Sequence, residues 1–357
     1  MIKTVCSKSL ANTFYKYKRK VVQHVCHSVT RLHSSKQSQT PKILFFGTDR
    51  FSLPSLENLH KNCGCDINMN TLGVVTSFKN PANCVRSYAE REHLPLQHWP
   101  ITSADCAGYD LGVVVSFGHL IPASIINAFP LGMINVHASL LPRWRGAAPI
   151  IYAIMHGDAI TGVSIMKIEP HHFDVGAILA QMEVPVRSDV YMPELHASLA
   201  QTGANLLMEV VNDIHEKLQN AKPQDNYSAT YAPKITSRIT EVVWSDSSAV
   251  ELYARHRALY GFKSLTTSFH EKQIQLLELR VPEHPLTMAS QTPGHFSYQR
   301  ARKSLLINCA LGTQLEVLQL RMQNKKPMSA QEFSNGFLNC GKTLMLHFTQ
   351  NKQSAFC

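Results

Sequence analysis

From Pro41 onward, short runs of Val, Leu, Ile and Phe alternate with stretches whose apolar residues recur every three or four positions. Short unbroken apolar runs suit strands buried on both faces, and the three-to-four spacing suits helices laid across a sheet. The pattern predicts strands at 42–46, 72–76, 111–116, 133–136 and 164–168. It predicts helices at 53–61, 85–92, 122–128 and 149–156, the last opening on Pro149 and capped by Gly157. Strand and helix in such alternation build a parallel sheet with crossover helices. Leu195, Leu199, Leu206, Val210, Ile214 and Leu218 fall on one face of a longer helix over 192–218, a stripe read as core.

The periodicity fails over 221–237, where Lys, Pro, Asp, Asn, Ser and Thr are mixed, and an interdomain linker is placed there. Beyond it one amphipathic helix is expected over 247–259. Then come β-rich runs at 264–269, 273–280, 305–310 and 315–321, punctuated by Pro293-Gly294 and Leu311-Gly312. These runs fit a small β-barrel. The expected division is therefore a leader at 1–40, an α/β domain at 41–220, a linker at 221–237 and a second domain at 238–357.

Composition narrows the classes. A chain of 357 residues, 44% of them hydrophobic, can fill two cores, which excludes a disordered or fibrous protein. Its longest apolar stretches, 111–117 and 121–132, are shorter than the roughly 18 residues a membrane span requires, so no membrane partner is expected. Nine cysteines lie scattered without a CxxC pair, and the odd count argues against a disulfide framework. Cys63 and Cys65 form a CxC with no second ligand pair and are not read as a metal site.

The net charge of +10 looks like a nucleic-acid signature until its distribution is considered. Residues 1–40 hold eight basic and no acidic residues, 41–233 twelve and seventeen, and 234–357 fifteen and eight, so the three parts carry +8, −5 and +7. The first part is basic, acid-free and rich in Ser, Thr and His without a long apolar core, the composition of a mitochondrial transit peptide. A basic tail binding polyanions through Lys16–Lys20 is the alternative. The excess at 234–357 is what attraction to a phosphate backbone needs.

The candidate chemistry lies in Ile134-Asn135-Val136-His137-Ala138-Ser139-Leu140-Leu141-Pro142-Arg143-Trp144-Arg145-Gly146. There an apolar run gives way to polar sequence, so Asn135 and His137 sit at the carboxyl end of a buried strand, where open α/β sheets bind ligands. Two residues apart on a strand, they face one cleft. An Asn-x-His pair alone carries little information. Its setting, Asn-x-His-x-Ser-Leu-Leu-Pro followed by Arg-Gly, resembles the motif of folate-dependent formyltransferases. That family completes its site with an Asp before a small residue and Gly, and Asp174-Val175-Gly176 stands at that place. Phe46 through Pro54, Arg145-Gly146-Ala147-Ala148-Pro149-Ile150, and Leu315–Leu320 with Lys325–Phe333 resemble the tRNA-acting branch of the family.

The resemblance implies a Rossmann-like parallel-sheet domain followed by an OB-like barrel, with 10-formyltetrahydrofolate as the formyl donor and no metal. It implies initiator methionyl-tRNA as acceptor and a monomer, and the composition of residues 1–40 adds work in the mitochondrial matrix. Asn135, His137 and Asp174 become the catalytic set: Asp174 as base toward an α-amine whose pKa is about 7.7–8, Asn135 and His137 as donors to an oxyanion. Ser139, Leu140, Leu141 and Pro142, with Phe117, Gly118 and Ile121 of the 116–122 loop, are the expected folate wall. Expected RNA contacts are Arg143, Arg145, Arg255, Arg257, Lys263, Arg300, Arg302, Lys303, Lys325 and Lys326, and Trp144 is read either as a base-stacking ring or as packing. His172-Phe173 stands where the family usually has Gly-Leu, and His171 and His172 beside Asp174 are not read as metal ligands. The segment 77–86, with only Lys79 and Arg86, is shorter and less basic than the acceptor-stem insertion of bacterial relatives. Formyl transfer to a small amine, or a non-catalytic folate-sensing RNA-binding protein, remain the competing readings.

Overall fold

In the computed structural model the described residues are 41–63, 71–284, 286, 288 and 291–338. The expected transit peptide, Cys65 and the tail from 339 lie outside the described residues. The first part runs β1 (Ile43–Gly47), α1 (Leu53–Cys63), β2 (Leu72–Thr76), α2 (Cys84–Arg91), β3 (Leu96–His98), β4 (Leu111–Val115), α3 (Ala123–Ile126), β5 (Met133–His137) and α4 (Pro149–Met155). It continues with β6 (Ile160–Lys167), β7 (Ile178–Pro185), α5 (Met192–Asn212) and α6 (Ile214–Gln219). The strands form one sheet in the order β3-β2-β1-β4-β5-β6-β7, parallel through β5, with β6 antiparallel to β5 and β7 to β6.

All five expected strands are present, four of them buried at nearly every position because helices cover both faces of the parallel part. Two strands escaped the pattern. β3 has three residues, too few to show a period, and β7 is a largely exposed edge strand without an apolar run. The expected helix over 192–218 breaks at Asp213 (φ −116°, ψ 31°) into α5 and α6, although its stripe is core as read: Leu195, Leu199, Leu206, Val210 and Ile214 are all buried.

The second part runs α7 (Ala249–Leu259), β8 (Leu265–Phe269), β9 (Lys272–Arg280), β10 (Phe296–Gln299), β11 (Ser304–Asn308), β12 (Gln314–Met322), β13 (Met328–Ser329) and α8 (Ala330–Phe333). Its antiparallel sheet has the order β10-β11-β12-β9-β8, with β13 beside β12. Among the described residues no ladder joins β8 to β10. The Phe269 and Phe296 rings meet instead, with centroids 5.8 Å apart, so the curled sheet is filled by side chains. α7 starts at a capping box in which Ser248 Oγ accepts from Glu251 N and Glu251 Oε2 accepts from Ser248 N at 2.7 Å.

One hydrophobic core runs from Ile43 of β1 to Phe333 of α8, so the two sheets share buried surface rather than meeting at a wet seam. α4 packs on α7, and Arg257 of α7 donates to Val190 O at 2.8 Å. Among the described residues no helix is long and apolar enough to cross a membrane.

Candidate active site

The strand order reverses direction between β1 and β4, and in doubly wound sheets the crevice at such a point, beyond the carboxyl ends of the strands, receives ligands. The loops after β1 and β4 are tied together there. Ser116 Oγ donates to Asp49 Oδ2 at 2.6 Å and Thr48 Oγ1 donates to Ser116 O at 2.9 Å. Asp49 Oδ1 also accepts from the amides of Phe51 and Ser52, where the chain turns into α1.

β5 ends beside this crevice with Asn135 half-buried and His137 buried. The Asn135 amide makes no hydrogen bond to protein among the described residues, leaving its N–H groups for a substrate. His137 is oriented: its Nε2 lies 2.9 Å from Trp144 O. A carbonyl can only accept, so Nε2 carries a hydrogen, and in the corresponding neutral tautomer Nδ1 is bare. That Nδ1 faces Asp174 Oδ1 at 3.7 Å. Two acceptors facing across such a gap are both satisfied by a proton-bearing group placed between them, and an ammonium is such a group.

Asp174 reaches this position by a detour. The antiparallel register sets Ile168 level with Met133, so the loop after β6 leaves the sheet at the wrong end of β5 and must fold back. Left-handed turns at His171 (φ 66°) and Asp174 (φ 54°) reverse it. Each non-glycine residue so placed costs about 1 kcal/mol or more, a cost the surrounding structure must offset. Gly176 is required where the loop rejoins the sheet, since a Cβ there would lie 1.9 Å from Lys167 O.

The chain that follows β5 completes the site. Gly146 N donates to Asp174 Oδ2 at 2.8 Å. Gly146 has φ +120°, and a Cβ would meet Ala232 O at 2.7 Å, so glycine is demanded twice over. Arg145 is buried, its Nη2 donating to Gln224 Oε1 at 2.7 Å and Asn226 Oδ1 at 2.9 Å. Its backbone pairs with the same segment, Arg145 N to Thr230 O and Ala232 N to Arg145 O. Through these bonds the segment 221–237, which lies between the two sheets along the chain, builds the back wall of the candidate site.

Several expected contacts are relocated by the structure. Ser139 has no exposed surface and donates to Arg143 O at 2.6 Å, shaping the turn that follows β5. Phe117, Ile121 and Leu141 are also buried, Phe117 against Phe46 and Trp99. Leu140 and Pro142 are half-buried, and Gly118 (φ 73°) is exposed with open space beside it.

Among the expected RNA contacts, Arg145 and Arg257 lie inside the protein. Both are buried: Arg145 donates to Gln224 and Asn226, and Arg257 donates one hydrogen bond, to Val190 O, while its Nε has no hydrogen-bond partner among the described residues. Arg255 is mostly buried, which lowers its pKa, and reaches Ser247 Oγ and Glu241 O. Arg302 pairs with the fully buried Glu316, which Arg280 also holds, at 2.5 Å. Arg143 is part-exposed but paired with Asp158. Lys263 is half-buried near the Phe262 ring; Arg300, Lys303, Lys325 and Lys326 are exposed. Trp144 is buried, and its indole N–H donates to Asp158 Oδ2 at 2.7 Å. Burial alone would raise the Asp158 pKa, but the hydrogen bonds from Arg143 and Trp144 outweigh it and hold the carboxyl below its ordinary value. In the 77–86 segment Arg86 pairs with Glu90 and lies over the Phe78 ring, which leaves Lys79 as its exposed cation.

No group of three or more His, Cys, Asp or Glu among the described residues is arranged to hold a metal ion. Phe173 is 68% exposed beside Asp174. Residues the sequence did not single out are Gln224, Asn226, Thr230 and Ala232. They lie in a segment without periodicity, whose mixed polar composition gave no signal beyond that of a linker.

Comparison with known proteins identifies the family. Residues 42–211 match the family model described as formyl transferase, and residues 234–338 match the formyl transferase C-terminal domain. The mitochondrial methionyl-tRNA formyltransferase of Mus musculus is 37% identical over 308 residues, 84% of this chain and 78% of that protein. The methionyl-tRNA formyltransferase of Nitratidesulfovibrio vulgaris is 33% identical over 332 residues, 85% of this chain and 95% of that protein. Among solved structures, HypX from Aquifex aeolicus in complex with tetrahydrofolic acid superposes with a TM-score of 0.57 at 15% identity, covering 85% of this chain and 48% of HypX. The matched models and the relatives establish that the chain belongs to the formyl transferase family, alongside its methionyl-tRNA formyltransferases.

Proposed function

We propose that the protein moves the formyl group of 10-formyltetrahydrofolate to the α-amino group of initiator methionyl-tRNA, as a monomer in the mitochondrial matrix. The observation that carries this reading is the facing pair of His137 Nδ1 and Asp174 Oδ1 beside the uncommitted Asn135 amide, at the switch-point end of β5. The names of the relatives support the acceptor, and the acid-free composition of residues 1–40 supports the compartment. The catalytic part is taken as 41–220 and the RNA-binding part as 238–357, joined by 221–237.

The acceptor arrives largely as an ammonium. Its first proton leaves through Asp174 to solvent, and the neutral nitrogen attacks the formyl carbon. As the new C–N bond forms, the carbonyl electron pair moves onto oxygen, where the Asn135 amide donates to it. The second proton passes from the attacking nitrogen to His137 Nδ1, and from there to the departing folate nitrogen as its bond to carbon breaks. Because His137 Nε2–H is held by Trp144 O, the ring serves the oxyanion only through Nδ1 once that atom is protonated. Folate is placed along the strand ends, against Leu140, Pro142 and Gly118, with the buried Phe117, Ile121, Leu141 and Ser139 shaping that wall from behind. Exposed Arg300, Lys303, Lys325 and Lys326 are offered to the RNA backbone.

The test is to incubate the protein with 10-formyltetrahydrofolate and charged methionyl-tRNA and to analyse the RNA for formylmethionine. Product is expected on charged RNA and none from uncharged tRNA with free methionine. Formylation of glycinamide or a nucleotide amino sugar, without product on RNA, would overturn the acceptor assignment.

A further inference from the structure

We infer that Gln224 is a positioning residue for the reaction, holding Asp174 in its left-handed turn so that the carboxylate faces His137. The inference rests on the reading of Asp174 as the base. Every polar atom of the Gln224 side chain is used. Its Nε2 donates to Asp174 O at 2.9 Å and to Gly176 O at 2.8 Å, while its Oε1 accepts from Arg145 Nη2 at 2.7 Å and Nε at 3.1 Å.

Asp174 is thereby gripped at both ends. Gln224 holds its backbone carbonyl, Gly146 N holds Oδ2, and the two holds are joined because Gly146 follows Arg145, whose guanidinium chelates Gln224. This leaves Oδ1 as the carboxylate oxygen turned toward His137. The arrangement answers a need the fold creates. A non-glycine residue at φ 54° does not stay there by itself, and the loop carrying it has been folded back from the far end of β5. The Gln224 amide satisfies two carbonyls that flank the turn. Gln224 acts through Asp174, with no part in proton transfer. It belongs to the segment between the two sheets, so the seating of that segment and the aim of the base are one structural fact.

The informative variant is Gln224→Glu in the full-length protein. It retains an acceptor for both Arg145 contacts, and so keeps the segment docked, but loses both donors to the turn. Misplacing a catalytic group by about 1 Å costs on the order of a hundredfold, so kcat for formylation is expected to fall roughly ten- to a hundredfold. The KM for the folate should move less than about twofold on the same argument, since Gln224 holds the base and not the cosubstrate. In an Asp174→Asn background, whose residual turnover no longer depends on that carboxylate, adding Gln224→Glu should cause no further loss. Gln224→Ala, with the thermal midpoint measured alongside, is the second variant: a folded protein with the same kcat loss supports the inference.

A Gln224→Glu protein with kcat within about twofold of wild type would overturn it, as would an equal further loss in the Asp174→Asn background, which would mark a role independent of the base. Full turnover by Asp174→Asn alone would remove the reading of the base, a separate failure.

Discussion

Around the end of β5, three polar side chains are each held in place: His137 by Trp144 O, Asp174 by Gly146 and Gln224, Arg145 by Gln224 and Asn226. In the second sheet, cations outnumber acids but divide into two populations. Arg257 and Arg255 are drawn into the packing of α7, and Arg280 and Arg302, themselves exposed, are paired with the buried Glu316, whereas Arg300, Lys303, Lys325 and Lys326 are exposed without an ion pair among the described residues. The difference teaches that a count of charges is not a count of available charges. A guanidinium brings five donors and a stackable plane, so it serves as an internal tie as readily as a phosphate contact; exposed lysines are left for the backbone.

The sharpest break in this comparison would come at the site. Asp174→Asn should lower kcat by roughly 10²–10⁴-fold, the usual range for a lost general base, with the fold intact by circular dichroism. Retained turnover would sink the proton assignment. Asn135→Ala follows, with a loss on the order of 10²–10³ in kcat if its amide meets the oxyanion; a change confined to KM would instead make it a binding group.

Within the second sheet, Arg257→Met should cost about 1.5–3 kcal/mol of stability in denaturant unfolding, because a buried donor to Val190 O is lost. RNA affinity of the folded fraction should keep its salt dependence, and a flattened salt slope would return Arg257 to the RNA-binding set.

His256 adds a test by pH. Burial, with Arg257 beside it, lowers its pKa to about 4. Folded, the imidazole binds fewer protons than when unfolded, so acid favours the unfolded chain. Stability should fall as pH drops from about 6.5 toward 4, by about 2 kcal/mol at pH 5. Thermal midpoints of wild type and His256→Gln between pH 7.5 and 5 measure it, and parallel curves would refute it. The smallest effect is expected from Lys325→Ala with Lys326→Ala: no loss of stability, and a salt slope for tRNA binding reduced by about 2 if each meets a phosphate. An unchanged slope would remove both from the interface.

Much of this was legible along the chain. The parallel strands and their helices showed as apolar runs and three-to-four spacing, since burial on both faces leaves no room for polar residues. β3 and β7 were hidden by brevity and by edge exposure. The break at Asp213 was hidden because a core stripe persists across it.

The sequence by itself marked the side chains proposed to carry the chemistry. Asn135 and His137 share a strand face by local geometry, and Asp174-Val175-Gly176 is marked by its neighbours. Only the tertiary structure decided how they meet. The antiparallel turn of β6 sends Asp174 to the wrong end of β5, and contacts with Gly146 and Gln224, 28 and 50 residues away, hold it back against His137. The tertiary structure likewise decided which arginines remain available, because burial depends on what packs over a residue, and that is not written in the residue's own neighbourhood.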